Sequence, residues 1–155
     1  MGVQRGRPLM PGYGIEESDD GLLDWETVLG RLRESHNYWV STVRPDGRPH
    51  AMPVWAVWVD EAVWFSSGRR SRKIRNLQVN PACTVTTESG AEPVVVDGRA
   101  EVADAVPAVL DAYREKYGSG MEVPGSAIVR VAPSEIFALE EARFARTPTL
   151  FRGWG

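Results

Sequence analysis

The run from His50 to Val59, HAMPVWAVWV, constrains the fold of this chain more than any other segment. It is rich in β-branched and aromatic residues, and after His50 it has no polar side chain, so it reads as a strand. Met52, Val54, Ala56 and Trp58 fall on one face, and Trp55, Val57 and Val59 on the other. A strand with one wet face alternates apolar and polar residues, so this one is expected to be covered on both sides. A closed barrel wall with a partner chain or a ligand outside would satisfy that demand.

The neighbouring segments supply the rest of such a wall. NYWVSTV reads as a strand, and RPDGRP carries the Asp-Gly turn that folds it back into a hairpin. Asp60-Glu61 makes a tight turn into a third strand, AVWFSS. ACTVTTE, the long PVVVDGRAEVAD (bent or bulged at Gly98) and AIVRVAPSEIFALE complete about six strands. Helical spacing appears at Leu22, Trp25, Val28, Leu29 and Leu32, with Asp24 as N-cap. It recurs at Ile74 and Leu77, in a short helix from Ser71 to near Pro81, and at Val106, Val109, Leu110 and Tyr113. The expected fold is mainly β of mixed α+β character, a small barrel with flanking helices. Residues 1–20, rich in Gly, Pro and charge, are expected to form a flexible arm, and residues 21–155 a single domain.

Composition removes several classes of function. No apolar run reaches the ~20 residues that span a bilayer, and the N-terminus has no apolar signal core, so cytoplasmic residence is the expectation. Cys83, His36 and His50 show no metal-ligand spacing, and no metal is expected. The two histidines are expected at the ends of a helix and a strand, and Cys83 as a small buried hydrophobe. With a sequence pI near 5.5, nucleic acid is a poor partner.

Yet SSGRRSRKIRNLQVNP, residues 66–81, gathers Arg69, Arg70, Arg72, Lys73 and Arg75 in a chain of net charge −3. Cations at a helix N-terminus oppose the helix dipole and repel one another. Two readings follow: a solvated basic face, or a site for an anion. Ser66, Ser67 and Gly68 offer hydroxyls and bare backbone between strand and helix, where phosphates are commonly caught, so a small phosphorylated ligand fits best. No Walker-type GxxxxGK[ST] is present.

The order NYWVSTVRPDGRPHAMPVWAVW, VWFSSGRRSRKIRNLQVNPACTV, VDGRAEV resembles the FMN-binding split β-barrel of the pyridoxamine-phosphate-oxidase-like family. Within it the chain is more similar to the flavin/deazaflavin oxidoreductases. The resemblance implies a homodimer with cofactor sites at the subunit interface. Met52, Pro53, Val54 and Trp55 would line the cofactor ring. Phe65, Ser66 and Ser67 would add backbone and hydroxyl contacts, Arg72 and Lys73 would hold phosphate, and Trp154 would approach from the tail. The substrate-phosphate residues of true pyridoxamine-phosphate oxidases have no match in TPTLFRGWG, whereas Phe144, Phe151, Arg152 and Trp154 loosely resemble the tail of the deazaflavin enzymes.

The sequence offers no nucleophile–base pair, which suits chemistry carried by a cofactor and leaves no catalytic side chain to name. The implied activity is coenzyme F420-dependent hydride transfer between the reduced cofactor and an unsaturated small molecule. The same enzyme using FMN, and a non-catalytic flavin or F420 carrier, are the alternatives.

Overall fold

The computed structural model describes residues 2–154. Its sheet is wholly antiparallel, with nine strands and three α-helices. The strands are β1 (Gln4–Gly6), β2 (Tyr38–Val43), β3 (Pro49–Val54), β4 (Ala56–Val59), β5 (Ala62–Gly68), β6 (Ala82–Thr87), β7 (Val94–Val102), β8 (Ser126–Ala138) and β9 (Thr149–Arg152). The helices are α1 (Trp25–Glu34), α2 (Arg72–Val79) and α3 (Pro107–Tyr117).

The expected turns form as their residues require. Gly47, with φ 88°, sits in the left-handed region and donates its N–H to the Arg44 carbonyl at 2.8 Å, closing the β2–β3 hairpin. At Gly98 the register of β7 against β8 slips, and a Cβ there would collide with the Ala132 carbonyl oxygen. Only glycine allows the two strands to approach so closely.

The one strand expected over His50–Val59 is two. Up to Val54 the chain pairs with β2, and from Ala56 it pairs with β5, so Trp55 marks a handover between neighbours. This break closes the barrel. Pairing runs β3–β2–β6–β7–β8–β5–β4, and the covalent link through Trp55 joins the two ends of that path. Six runs of chain therefore make the wall. β9 extends it along the far half of β8, with β1 outside β9.

Coverage on both faces holds for only half of the run. Ala56 and Val57 are buried on opposite faces of β4, in the barrel core and beneath α3 respectively. On β3, Ala51, Met52 and Pro53 remain exposed in the single chain. The barrel interior is filled by Tyr38, Val40, Phe65, Val85, Val96, Val129 and Ile136. Ile74 and Leu77 of α2 and Val28 and Leu32 of α1 pack onto the same core.

Residues 1–20, expected as an arm, include β1, and the Arg7 guanidinium donates to the carbonyls of Ser18, Arg146 and Pro148. Among the described residues no helix is long and apolar enough to cross a membrane.

Candidate cofactor site

Helix α2 starts where Ser71 caps it: its hydroxyl accepts the Ile74 N–H at 3.4 Å. The Ser71 hydroxyl also lies 3.1 Å from that of Ser67 at the end of β5. Lys73 donates from Nζ to Ser67 Oγ at 2.9 Å. Although Lys73 is only 8% exposed, it makes no ion pair among the described residues, and burial pulls its pKa below the usual lysine value. Arg69, Arg70, Arg72 and Arg75 are likewise unpaired there, and the first turn of α2 has no acidic residue. Side-chain carboxylates do not neutralise this cluster.

The β2–β3 hairpin adds to the charge. A cleft of ≈ 580 Å³ is lined by Arg44, Pro45, Asp46, Arg48, His50 and Arg72. Asp46 pairs with Arg48 at 2.9 Å, and Arg44 has no carboxylate within ion-pair distance among the described residues. The Nδ1 atom of His50 is buried and has no hydrogen-bond partner. Desolvation, then the nearby charges of Arg44, Lys73 and Arg72, hold the His50 pKa below its ordinary value. Asn76, fully buried, docks α2 against this hairpin by donating to Thr42 Oγ1 at 3.0 Å. Cations, serine hydroxyls and an orphaned imidazole nitrogen fit the phosphate of a bound cofactor.

Arg44 and His50 escaped sequence reasoning as site residues. The signal was the Asp-Gly turn, which brings Arg44 and Arg48 face to face through the Arg44 N–H and Arg48 carbonyl at 2.9 Å.

Beside this charge lies a seam in the barrel. β3 pairs only with β2, and the Ser66–Gly68 end of β5 pairs only with β8. Two strand edges thus lie unpaired, with β3 contacting both β5 and α2. Met52 and Pro53 are exposed, Val54 is half-buried, and Trp55 is 40% exposed. Ser66 and Ser67 are half-buried at the end of β5, whereas the Phe65 side chain lies wholly in the core. The sequence-expected residues Met52, Pro53, Val54, Ser66, Ser67, Arg72 and Lys73 thus sit on three contacting elements. Trp154 is placed elsewhere in the chain: its ring packs on Trp25 of α1 at 5.3 Å, and its indole N–H is buried without a partner.

A second cluster, unforeseen from the sequence, surrounds Trp55. The Tyr117 ring stacks on Trp55 with centroids 4.6 Å apart and planes 2° from parallel. His36 meets the two rings edge-on at 5.6 and 5.4 Å. Lys116 donates from Nζ to Tyr38 Oη at 2.7 Å and to the Ala56 carbonyl at 3.1 Å, lying 4.7 Å above the Tyr38 ring. Desolvation lowers the Lys116 pKa to about 8 against an opposing pull from Glu88. Burial first, then neighbouring groups, raises Tyr38 above the usual tyrosine range, and mainly burial raises Tyr117 to about 12.

The fold is thus an antiparallel barrel split at one seam, with a basic helix across the split. Sequence comparison agrees: the pyridoxamine 5'-phosphate oxidase profile matches residues 25–140, and the chain belongs to that family. An F420 reductase of known structure is 25% identical, with a TM-score of 0.56, covering 74% of this chain and 96% of its own. A pyridoxamine 5'-phosphate oxidase-related, FMN-binding protein from Nostoc punctiforme is 17% identical (TM-score 0.55; 74% of this chain, 81% of that one). The heme storage protein HutZ from Vibrio cholerae shares the fold at 18% identity (TM-score 0.63; 74% and 93%). No curated protein sequence matches the chain.

Proposed function

We propose that the protein is a cytoplasmic F420-dependent oxidoreductase that reduces an unsaturated small molecule. The observation carrying this reading is the group of unpaired cations, Arg44, Arg72 and Lys73, set with Ser67 beside the apolar edge of β3. Lys73, Arg72 and Ser67 hold the cofactor phosphate, while Met52, Pro53, Val54 and Trp55 support its ring. Ser66 and the backbone of Phe65 complete the contacts from β5. When bound, the deazaflavin supplies the hydride, and the chain's own residues bind it, orient it and keep water from its apolar face. The 25% identity to an F420 reductase supports F420 over FMN.

The exposed apolar side chains Trp39 and Val43 of β2, with Trp55 just after β3, are covered by a second copy of the chain. This makes the protein a homodimer with a cofactor site at each interface. Separate titrations of F420 and FMN into the purified protein test the assignment, with F420 expected to bind more tightly. Binding of neither would overturn it. Sedimentation at micromolar concentration should give twice the chain mass of 17.2 kDa, and a monomer would remove the interface site.

A further inference from the structure

We propose that the last turn of α3 is a clasp that fixes the barrel seam, with Tyr117 and Lys116 as positioning residues for the cofactor ring. The proposal rests on the reading of β3 as the ring wall.

Ala56 is the first residue after the handover at Trp55. β4 has β5 as its one strand neighbour, so the other side of Ala56 meets no strand. Side chains from α3 take that place. The Ala56 N–H donates to Tyr117 Oη at 3.0 Å, and the Ala56 carbonyl accepts from Tyr117 Oη at 2.9 Å and from Lys116 Nζ at 3.1 Å. Buried backbone groups without a ladder partner need such substitutes, and here two adjacent residues of one helix provide them.

The clasp reaches both sides of Trp55. Lys116 also holds the hydroxyl of Tyr38, and Tyr38 pairs with Val54, the last residue of β3. The Tyr117 ring covers one face of Trp55 itself, and its hydroxyl, with a single proton, lies 2.9 Å from the His36 carbonyl as well as from that of Ala56. Val54, Trp55 and Ala56 are therefore all tied, directly or through Tyr38, to residues 116 and 117. Gly118 ends the helix just beyond them, with φ 71° and its N–H on the Arg114 carbonyl at 2.8 Å. The direction in which β3 leaves the barrel thus depends on where α3 stops. None of these contacts involves α2, so the clasp governs the ring wall and not the phosphate cluster.

Tyr117→Phe keeps the stacked ring and removes the hydroxyl, while Lys116→Met keeps the chain length and removes the ammonium. Three readouts apply to each full-length variant: amide hydrogen exchange at Ala56, affinity for F420 and FMN, and affinity for inorganic phosphate. Ala56 exchange in Tyr117→Phe should quicken by about tenfold, and F420 affinity should fall by about threefold to tenfold, with phosphate affinity unchanged. Lys116→Met should move the same readouts in the same directions, and it serves if Tyr117→Phe fails to fold. Unchanged Ala56 exchange would show that no clasp exists. Faster exchange with unchanged F420 affinity would show that the clasp does not position the ring wall. Failure of the cofactor assignment looks different: wild-type protein would bind neither F420 nor FMN, whatever the exchange result.

Discussion

Two lysines, Lys73 and Lys116, both have pKa values lowered by desolvation, and neither has a carboxylate within ion-pair distance among the described residues. Their surroundings differ in sign. Lys116 faces a backbone carbonyl, a tyrosine oxygen and the π faces of Tyr38 and Tyr117, all electron-rich. These groups compensate its charge in part from within the chain, although desolvation still outweighs them. Lys73 meets one serine oxygen, with the charges of Arg44 and Arg72 close to the neighbouring His50. No carboxylate lies within ion-pair distance of Lys73, Arg44 or Arg72 among the described residues, and the cofactor proposal rests on that difference. A buried cation tells of a ligand only when its neighbours do not already satisfy it.

The largest expected effect is at Lys73. Lys73→Ala should weaken F420 binding by roughly tenfold to a hundredfold, a loss of about 1.5–3 kcal/mol. Its ligand-free melting temperature should hold or rise, because repulsion around the N-terminus of α2 is relieved. Unchanged affinity for both F420 and FMN would make the cluster a solvated basic face and erase the contrast with Lys116.

The second effect is on pH dependence, and Lys116 dominates it. Its folded-state pKa of about 8 lies below the ~10.4 of an unfolded lysine. Between these values the unfolded chain binds more protons, so stability should rise with pH across that window. Lys73 adds to the rise in the same direction. Cys83, raised to about 12 by burial, opposes it from pH ~8.5, and Tyr38 and Tyr117, both raised, oppose it above pH ~10, because the unfolded groups ionise first. Of the other charged groups near Lys116, Glu88 favours its charged form, and Arg33 and Glu115 share the cleft beside it. Urea titrations from pH 7 to 10 should give wild type the more positive slope of stability against pH, and Lys116→Met a flatter or falling one. Equal slopes would mean that the ammonium is better solvated than its contacts imply.

The smallest effects separate Arg44 from Arg75. Arg44 is half-buried beside His50, and Arg44→Ala should weaken F420 binding by about threefold to tenfold and lessen its salt dependence. Arg75 is exposed on α2, and Arg75→Ala should change affinity by less than about twofold. Equal losses at both positions, read by titration at two ionic strengths, would indicate a diffuse basic face instead of a built site.

Much of the framework was legible because it depends on neighbours in sequence. Ser71 marks the start of α2, Ile74 and Leu77 mark its buried face, and Gly98 marks the bulge. The basic cluster was half visible: Arg72 and Lys73 stand in one basic run, but Arg44 and His50 reach it only through the hairpin. The handover at Trp55 left no trace, because apolar residues on both faces look alike whether one strand keeps its neighbours or exchanges them. The N-terminal stretch misled by composition. Its glycines and charges suggest a loose arm, yet the Arg7 guanidinium finds three backbone carbonyls that only the folded chain assembles.

The amino-acid sequence alone determined the strand and helix periodicity, the turns at Asp46-Gly47 and Asp60-Glu61, and the concentration of cations before α2, since each arises from residues within a few positions of one another. Only the tertiary structure decided which cations remain unpaired and which residues hold the seam. Tyr117 reaches Ala56 across 61 residues, and Asn76 reaches Thr42 across 34. Contacts of that kind form only after the barrel closes, when desolvation makes each unpaired polar group costly and fixes which distant partner meets it.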